Sequence, residues 1–156
     1  MRIAVYQPDI PGNAGALMRT AACLGVAIDI IGPCGFVLSD RQMRRAGMDY
    51  LDHAEMTEHA SWRAFQAQRP QSGRLVGLST KAETDYLQFT FHRDDILLVG
   101  RESAGLPDVV HAACDARIRV PMAAGMRSLN VATALAMVLG EALRQTDGFP
   151  KNRDQA

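Results

Sequence analysis

The chain has 156 residues, of which 47% are hydrophobic and 22% charged, and its formal net charge at pH 7 is zero. This length suits one domain, which can bury an apolar core without disulfides or a structural metal. The composition is that of an ordinary globular protein, so we expect no disorder outside the tail. We expect residues 1–150 to form one domain and residues 151–156 to form a flexible tail.

Several patterns predict a cytoplasmic protein without a metal. No apolar stretch approaches the roughly 18 residues that a membrane span requires, and we expect no signal peptide because the chain runs directly into the apolar residues 3–6. Cys23, Cys34 and Cys114 are odd in number and include no CxxC pair, which favours reduced thiols. The histidines lack HxxxH spacing, so no metal site is expected; they are His53, His59, His92 and His111.

Apolar runs alternate with helix-like segments along the whole chain. The predicted strands are Ile3–Tyr6, Ala27–Ile31, Leu75–Leu78, Ile96–Val99 and Ile118–Val120, and the predicted helices are Ala14–Leu24, Asp40–Ala46, Ser61–Gln68, Pro107–Ala112 and Asn130–Gln145. This alternation predicts an α/β fold with a mainly parallel sheet flanked by helices.

The first and last predicted helices each have one apolar face. In the first, Asn13 is the expected N-cap and Leu17 lies on the core face. Arg19 lies about 200° around the helix from Leu17, at about 100° per residue, so it points away from the core. The last helix carries an apolar face that packs either on the sheet or on a partner: Val131, Ala134, Leu135, Val138, Leu139 and Ala142.

Three segments rich in glycine and small polar residues follow predicted strands, at residues 11–20, 100–107 and 121–130. Ligands bind at the carboxyl ends of strands in open α/β sheets. The segments contain no GxGxxG, no phosphate-loop lysine and no nucleophile elbow, which excludes the common dinucleotide, mononucleotide and serine-hydrolase sites. They fit a group transfer in which a cofactor carries the reactive group.

In order and spacing, these segments resemble the SPOUT methyltransferases, and most closely the small single-domain enzymes that methylate the ribose 2'-hydroxyl of the tRNA wobble nucleotide. The matching motifs are Asn13-x-Gly15-x-x-x-Arg19, Gly100-x-Glu102-x-x-Gly105-Leu106-Pro107 and Arg127-Ser128-Leu129-Asn130. The resemblance covers nearly the whole chain. It implies a SPOUT fold with a C-terminal trefoil knot, which general rules of chain connection would not predict.

The resemblance also implies S-adenosylmethionine as the cofactor, bound by residues carried over from the family's motifs. These are Leu78, Thr80, Gly100, Glu102, Gly105, Val120, Met122, Ser128 and Leu129. Family members are homodimers in which the first and last helices meet and both subunits complete each site, and the apolar face of the last helix would supply a physical reason to pair. This chain departs from related sequences at Ala16, Ala104 and Gly140.

By the same resemblance, Arg19, Ser128 and Asn130 are the expected catalytic residues. A guanidinium stays protonated in proteins, so we expect Arg19 to hold a phosphate and stabilise the developing alkoxide. We expect Ser128 and Asn130 to orient the ribose.

The expected RNA contacts are Asn13, Arg19, Arg44 and Arg45. Because the net charge is zero, RNA must bind a local basic patch, and the best candidate is the run 41–45, which could equally be a solvated helix face. Three alternatives stay open: methylation of another tRNA or rRNA position, a catalytically silent RNA-binding module, and an enzyme that binds another nucleotide cofactor.

Overall fold

A computed structural model of the chain describes residues 1–37 and 55–151. The predicted helix Asp40–Ala46, with Arg44 and Arg45, and residues 152–156 of the predicted tail lie outside the described residues. The strands are β1 (Arg2–Tyr6), β2 (Ala27–Ile31), β3 (Met56–His59), β4 (Leu75–Leu78), β5 (Thr84–Asp85), β6 (Ile96–Val99) and β7 (Ala116–Arg119). The helices are α1 (Pro11–Leu24), α2 (Trp62–Gln68), α3 (Asp108–Ala112) and α4 (Val131–Gln145), with a 3-10 turn at Tyr86–Gln88.

The described strands form one sheet in the order β3-β2-β1-β6-β4-β7-β5, and every neighbouring pair is parallel. This arrangement confirms the predicted α/β fold. All four residues of β6 are buried, and the strand pairs with β1 on one side and with β4 on the other. The C-terminal trefoil knot stays a prediction.

Side chains alternate between two apolar clusters on opposite faces of the sheet, as the period of two in a strand requires. In β6, Leu97 and Val99 belong to the cluster that contains the buried residues of α1 and α4. Ile96 and Leu98 belong to the cluster that contains Phe65 of α2 and Val110 of α3. The sheet is therefore covered by helices on both faces.

Two strands were not predicted, and a third is displaced. Strands β3 and β5 lie at the two edges of the sheet and have polar sequences, MTEH and TD. An edge strand pairs on one side only and need not be an apolar run. Strand β7 covers Ala116–Arg119 instead of Ile118–Val120, and only its Ile118 is fully buried.

The prediction that Asn13 caps α1 is wrong. The helix begins at Pro11, whose fixed φ angle suits the first helical position, and its N-cap residue Ile10 makes no side-chain capping bond. Asn13 therefore lies within the first turn, and its side chain is available for a contact elsewhere. The cap of α4 is made by Asn130, whose Oδ1 accepts hydrogen bonds from the backbone N–H groups of Ala132 at 2.9 Å and Thr133 at 3.2 Å.

The apolar face of α4 packs on the chain's own core. Leu135, Val138 and Leu139 are fully buried in the same cluster as Leu17 of α1. The expectation that this face supplies the reason to form a dimer is therefore wrong. On the opposite side of the helix, Thr133, Ala136 and Met137 are exposed.

The described residues include no helix that is long and apolar enough to cross a membrane. The three cysteines are free thiols, as predicted, and Cys23 is exposed.

Two substitutions test this packing. We expect Leu139→Ala in α4 to lower the free energy of unfolding by about 2–5 kcal/mol, because it leaves a cavity in the core. Val109→Ala, at an exposed apolar residue of α3, is the control and should change it by no more than about 0.5 kcal/mol. Urea denaturation monitored by circular dichroism gives both values, and similar losses for the two variants would contradict the packing described.

Candidate active site

A cavity of about 540 Å³ opens where the neighbouring strands β6, β4 and β7 end. Its walls come from residues 78–81, 99–102, 104–106, 118–120, 122 and 128–131, together with Ile10, Asn13, His111 and Ala134. Because all strands of the sheet are parallel, their carboxyl ends meet at this one edge. The position is the usual place for a ligand in an open α/β sheet.

All nine residues expected to hold the cofactor line this cavity: Leu78, Thr80, Gly100, Glu102, Gly105, Val120, Met122, Ser128 and Leu129. The structure therefore brings together residues that lie up to 51 positions apart in the sequence. Leu78, Ile118 and Val120 give one wall aliphatic surface, and the strand ends supply backbone N–H and C=O groups. An apolar wall with a few fixed polar groups fits a nucleoside-containing cofactor.

The loop that follows β6 explains the two glycines of the second motif. Gly105 has a φ of 67°, in the left-handed region that favours glycine. The loop closes through two backbone hydrogen bonds between Arg101 and Gly105, at 3.1 and 2.8 Å, so that it folds back over Gly100. A Cβ atom on Gly100 would lie only 2.3 Å from the carbonyl carbon of Gly105. Both glycines are thus required by the shape of the cavity wall.

One chain of hydrogen bonds connects the three motif segments. The Asn130 Nδ2 group donates to Asn13 Oδ1 at 2.8 Å. The Asn13 side chain in turn makes a hydrogen bond with the Glu102 carboxylate. This bond stabilises the charged carboxylate and so lowers the pKa of Glu102, against the larger opposite effect of burial. The predicted residues Asn13, Glu102 and Asn130 therefore form a connected group on the cavity wall.

Asp9, which no sequence motif singles out, extends this group. Its carboxylate and that of Glu102 each accept a hydrogen bond from the other residue's backbone N–H, at 3.1 and 3.0 Å. The contact with the Glu102 side chain is the main cause that lowers the pKa of Asp9 to about 2. Burial, followed by the contact with Asp9, raises the pKa of Glu102. As the pH falls, Glu102 therefore takes up a proton before Asp9 does. The feature of the sequence that could have indicated Asp9 is its position between β1 and the first motif.

Arg19, by contrast, is not among the residues that line the cavity. It is exposed on α1, six residues after Asn13, which is about 9 Å along the helix axis at 1.5 Å per residue. Ser128 lines the cavity and is exposed.

Three basic side chains that the sequence analysis did not select also line the cavity: Lys81, Arg101 and Arg119. Arg119 is already paired with Asp85, with its Nε 2.6 Å from Oδ1. The signal for these residues was their position at the end of a strand or within three residues after it.

At the amino-terminal ends of the strands, opposite the cavity, three residues just before β6 lie close enough to share a metal ion: His92, Asp94 and Asp95. The Asp95 carboxylate is already engaged, since Arg74 donates to both of its oxygens at 2.8 Å and the His92 backbone N–H donates to Oδ2 at 2.8 Å. These bonds account for the cluster as part of the turn before β6.

The close approach at Gly100 gives a direct test of the cavity. We expect Gly100→Ala to displace the loop that closes over it and to weaken S-adenosylmethionine binding by at least about tenfold, because the added Cβ meets backbone atoms that must move. Gly140→Ala in α4 is the control: its Cβ would meet nothing within 4 Å, and alanine should stabilise the helix by about 0.5–1 kcal/mol. Calorimetric titration and thermal unfolding of both variants measure these effects, and normal cofactor affinity in Gly100→Ala would contradict the assignment of this cavity.

Comparisons with known proteins show which family the chain resembles. A curated protein of Beijerinckia indica named tRNA (cytidine(34)-2'-O)-methyltransferase is 58% identical over 153 residues, which cover 97% of this chain and 96% of that protein. A protein of the same name from Escherichia coli is 39% identical and covers 96% of both chains.

Solved structures give the same result. A structure described as "Structural insights into the 2-OH methylation of C/U34 on tRNA" superposes with a TM-score of 0.88 at 40% identity, over 92% of this chain and 94% of the other. The methyltransferase AviRb from Streptomyces viridochromogenes, in complex with AdoMet, superposes with a TM-score of 0.83 at 28% identity, over 93% of this chain and 60% of the other. The model of the SpoU rRNA methylase family matches residues 1–140. With its motif segments gathered around one cavity and this match over most of its length, the chain belongs to the SpoU rRNA methylase family.

Proposed function

We propose that this protein transfers a methyl group from S-adenosylmethionine to the ribose 2'-hydroxyl of the tRNA wobble nucleotide, a cytidine or modified uridine at position 34. The observation that carries the proposal is the convergence of three motif segments on one cavity, joined by the hydrogen bonds among Asn13, Glu102 and Asn130. The choice of nucleotide is supported by relatives named for cytidine(34), which match over nearly the full length of both chains.

The cavity suits S-adenosylmethionine in shape and chemistry. Aliphatic side chains of Leu78 and Val120 can flank an adenine ring, while backbone groups at the strand ends read its edge. Gly100 and Gly105 let the backbone close around it without a side chain in the way. When bound, the cofactor supplies a methyl group on a positively charged sulfur.

The task left to the protein is to align the ribose hydroxyl and to favour the loss of its proton. Asn130 has one Nδ2–H directed at Asn13, and its second N–H can face the ribose, as can the Ser128 hydroxyl. Asn13 is held between Asn130 and Glu102, which keeps its amide in one orientation. These contacts orient the sugar, while a phosphate of the substrate can accept the proton.

Arg19 then acts from a second copy of the chain. It lies on the exposed side of α1, about 9 Å along the helix from Asn13, so a site on the partner is the natural place for it to act. The protein is accordingly a homodimer whose interface includes the packed pair α1 and α4. The exposed small and apolar residues Ala136 and Met137 support a contact there. A tRNA substrate also makes the cytoplasm the expected location.

The direct test is to incubate the protein with S-adenosylmethionine and bulk tRNA and to map the methylated nucleotide by mass spectrometry. We expect a 2'-O-methyl group at position 34. Methylation at another position of tRNA, or of ribosomal RNA alone, would replace the proposed substrate. Cofactor-independent binding of tRNA without methylation would identify a silent RNA-binding module.

The proposed role of Arg19 predicts a specific pattern. Arg19→Ala should leave folding and S-adenosylmethionine affinity nearly unchanged and lower single-turnover methyl transfer by about 100-fold or more, the scale of losing one electrostatic stabiliser. Arg19→Lys should recover little, because a lysine cannot reproduce the planar guanidinium. Arg63→Ala on the exposed side of α2 is the control and should keep full activity. Near-normal turnover in Arg19→Ala, or a loss explained by weaker cofactor binding, would show that another residue has this role.

A further inference from the structure

Asp9 links two of the motif segments. It lies in the connection between β1 and α1 with its side chain 18% exposed. Its Oδ1 accepts the backbone N–H of Glu102 at 3.1 Å, and its Oδ2 accepts the Ser103 hydroxyl. In return, the Asp9 backbone N–H donates to Glu102 Oε2 at 3.0 Å. Three hydrogen bonds therefore join Asp9, just before the first motif segment, to the loop after β6.

These bonds affect the cavity because the loop after β6 forms part of its wall. Its internal hydrogen bonds join Arg101 to Gly105 and close the turn on itself. The bonds to Asp9 instead set the position of the loop relative to α1. Glu102 is thereby held where its carboxylate contacts the amide of Asn13.

The backbone of Asp9 is itself supported from the other side. A Cβ atom on Gly35 would lie 3.1 Å from both Cα and Cβ of Asp9, so the two backbones are in close contact. The Gly35 backbone N–H also donates to the Pro8 carbonyl at 2.9 Å. Asp9 is thus a fixed point against which the loop can be held.

We propose that Asp9 is a positioning residue for methyl transfer: through its reciprocal hydrogen bonds with Glu102 it holds the 101–105 loop against the start of α1, and so sets both the cofactor cavity and the orientation of Asn13. This inference rests on the proposed function for its effect on methyl transfer. Its effects on loop order and cofactor binding are independent of the RNA substrate. The contact keeps the pKa of Asp9 near 2, so its carboxylate remains a charged acceptor at neutral pH.

The experiment compares Asp9→Ala and Asp9→Asn with Asp94→Ala, an exposed aspartate at the opposite edge of the sheet, as the control. The full chain is studied by hydrogen–deuterium exchange, by calorimetric titration with S-adenosylmethionine, and by single-turnover methylation of tRNA at saturating cofactor. We expect Asp9→Ala to lose amide protection in residues 101–105. We also expect about tenfold weaker cofactor binding and an about tenfold slower rate, the scale of one hydrogen bond to a charged group.

The Asp9→Asn variant distinguishes an effect on the position of the loop from a general loss of protein stability. Asn keeps an acceptor at the place of Oδ1 and the same size, so Asp9→Asn should stay within about threefold of the wild type in affinity and rate. An Asp9→Asn variant as impaired as Asp9→Ala would overturn the proposal. So would an Asp9→Ala variant with a lower melting temperature but with loop protection, cofactor affinity and rate within about twofold of the wild type.

Two further measurements keep the outcome decisive. If Asp9→Ala does not fold, Ser103→Ala removes one of the three bonds and should give a partial loss of protection in 101–105 with about threefold weaker cofactor binding; unchanged values would overturn the proposal. Wild-type protein in the methylation assay tests the function itself. Cofactor binding without methylation would refute that function, while exchange and titration would still decide the role of Asp9.

Discussion

The parallel pairing of β6 between β1 and β4 is the constraint on which the rest of the structure depends. Strand β6 is fully buried and joins the strands formed by the first 60 residues to those formed by the later ones. Because every strand runs in the same direction, the segments that follow β1, β4, β6 and β7 all leave from one edge. The cavity and its polar residues are a consequence of this shared direction, since no single segment contains them all.

The residues of the site are held by hydrogen bonds among amides, carboxylates and backbone N–H groups, and not by a large excess of one charge. Asn13 and Asn130 are neutral amides, and the carboxylates of Asp9 and Glu102 are balanced by backbone N–H groups. Among the residues that line the cavity, Lys81, Arg101 and Arg119 carry positive charge. A net charge of zero is therefore compatible with RNA as a substrate, because a local patch suffices to contact phosphates without a basic surface elsewhere.

The central strands and the four predicted helices that lie within the described residues are confirmed, because fully buried parallel strands are apolar runs and these helices have clear faces. Edge strands β3 and β5 lack that pattern and could not be recognised. Periodicity identified the apolar face of α4 but could not tell whether the sheet or a partner covers it. The motif glycines and Asn13 were found by resemblance, whereas Asp9 was missed because its partner Glu102 lies 93 positions away. Such a contact is a property of the folded chain alone.

The contact between Asn13 and Asn130 spans 117 positions. During synthesis, β1 and α1 leave the ribosome long before the third motif exists, and the cavity wall formed by residues 118–131 is among the last parts of the described chain to emerge. A nascent or truncated chain that lacks these residues lacks this wall of the cavity. Long-range contacts of this kind also form late in folding, since the entropy of closing the chain must be overcome first. The competence of the site therefore reports that the chain has been made and folded at least through the third motif segment.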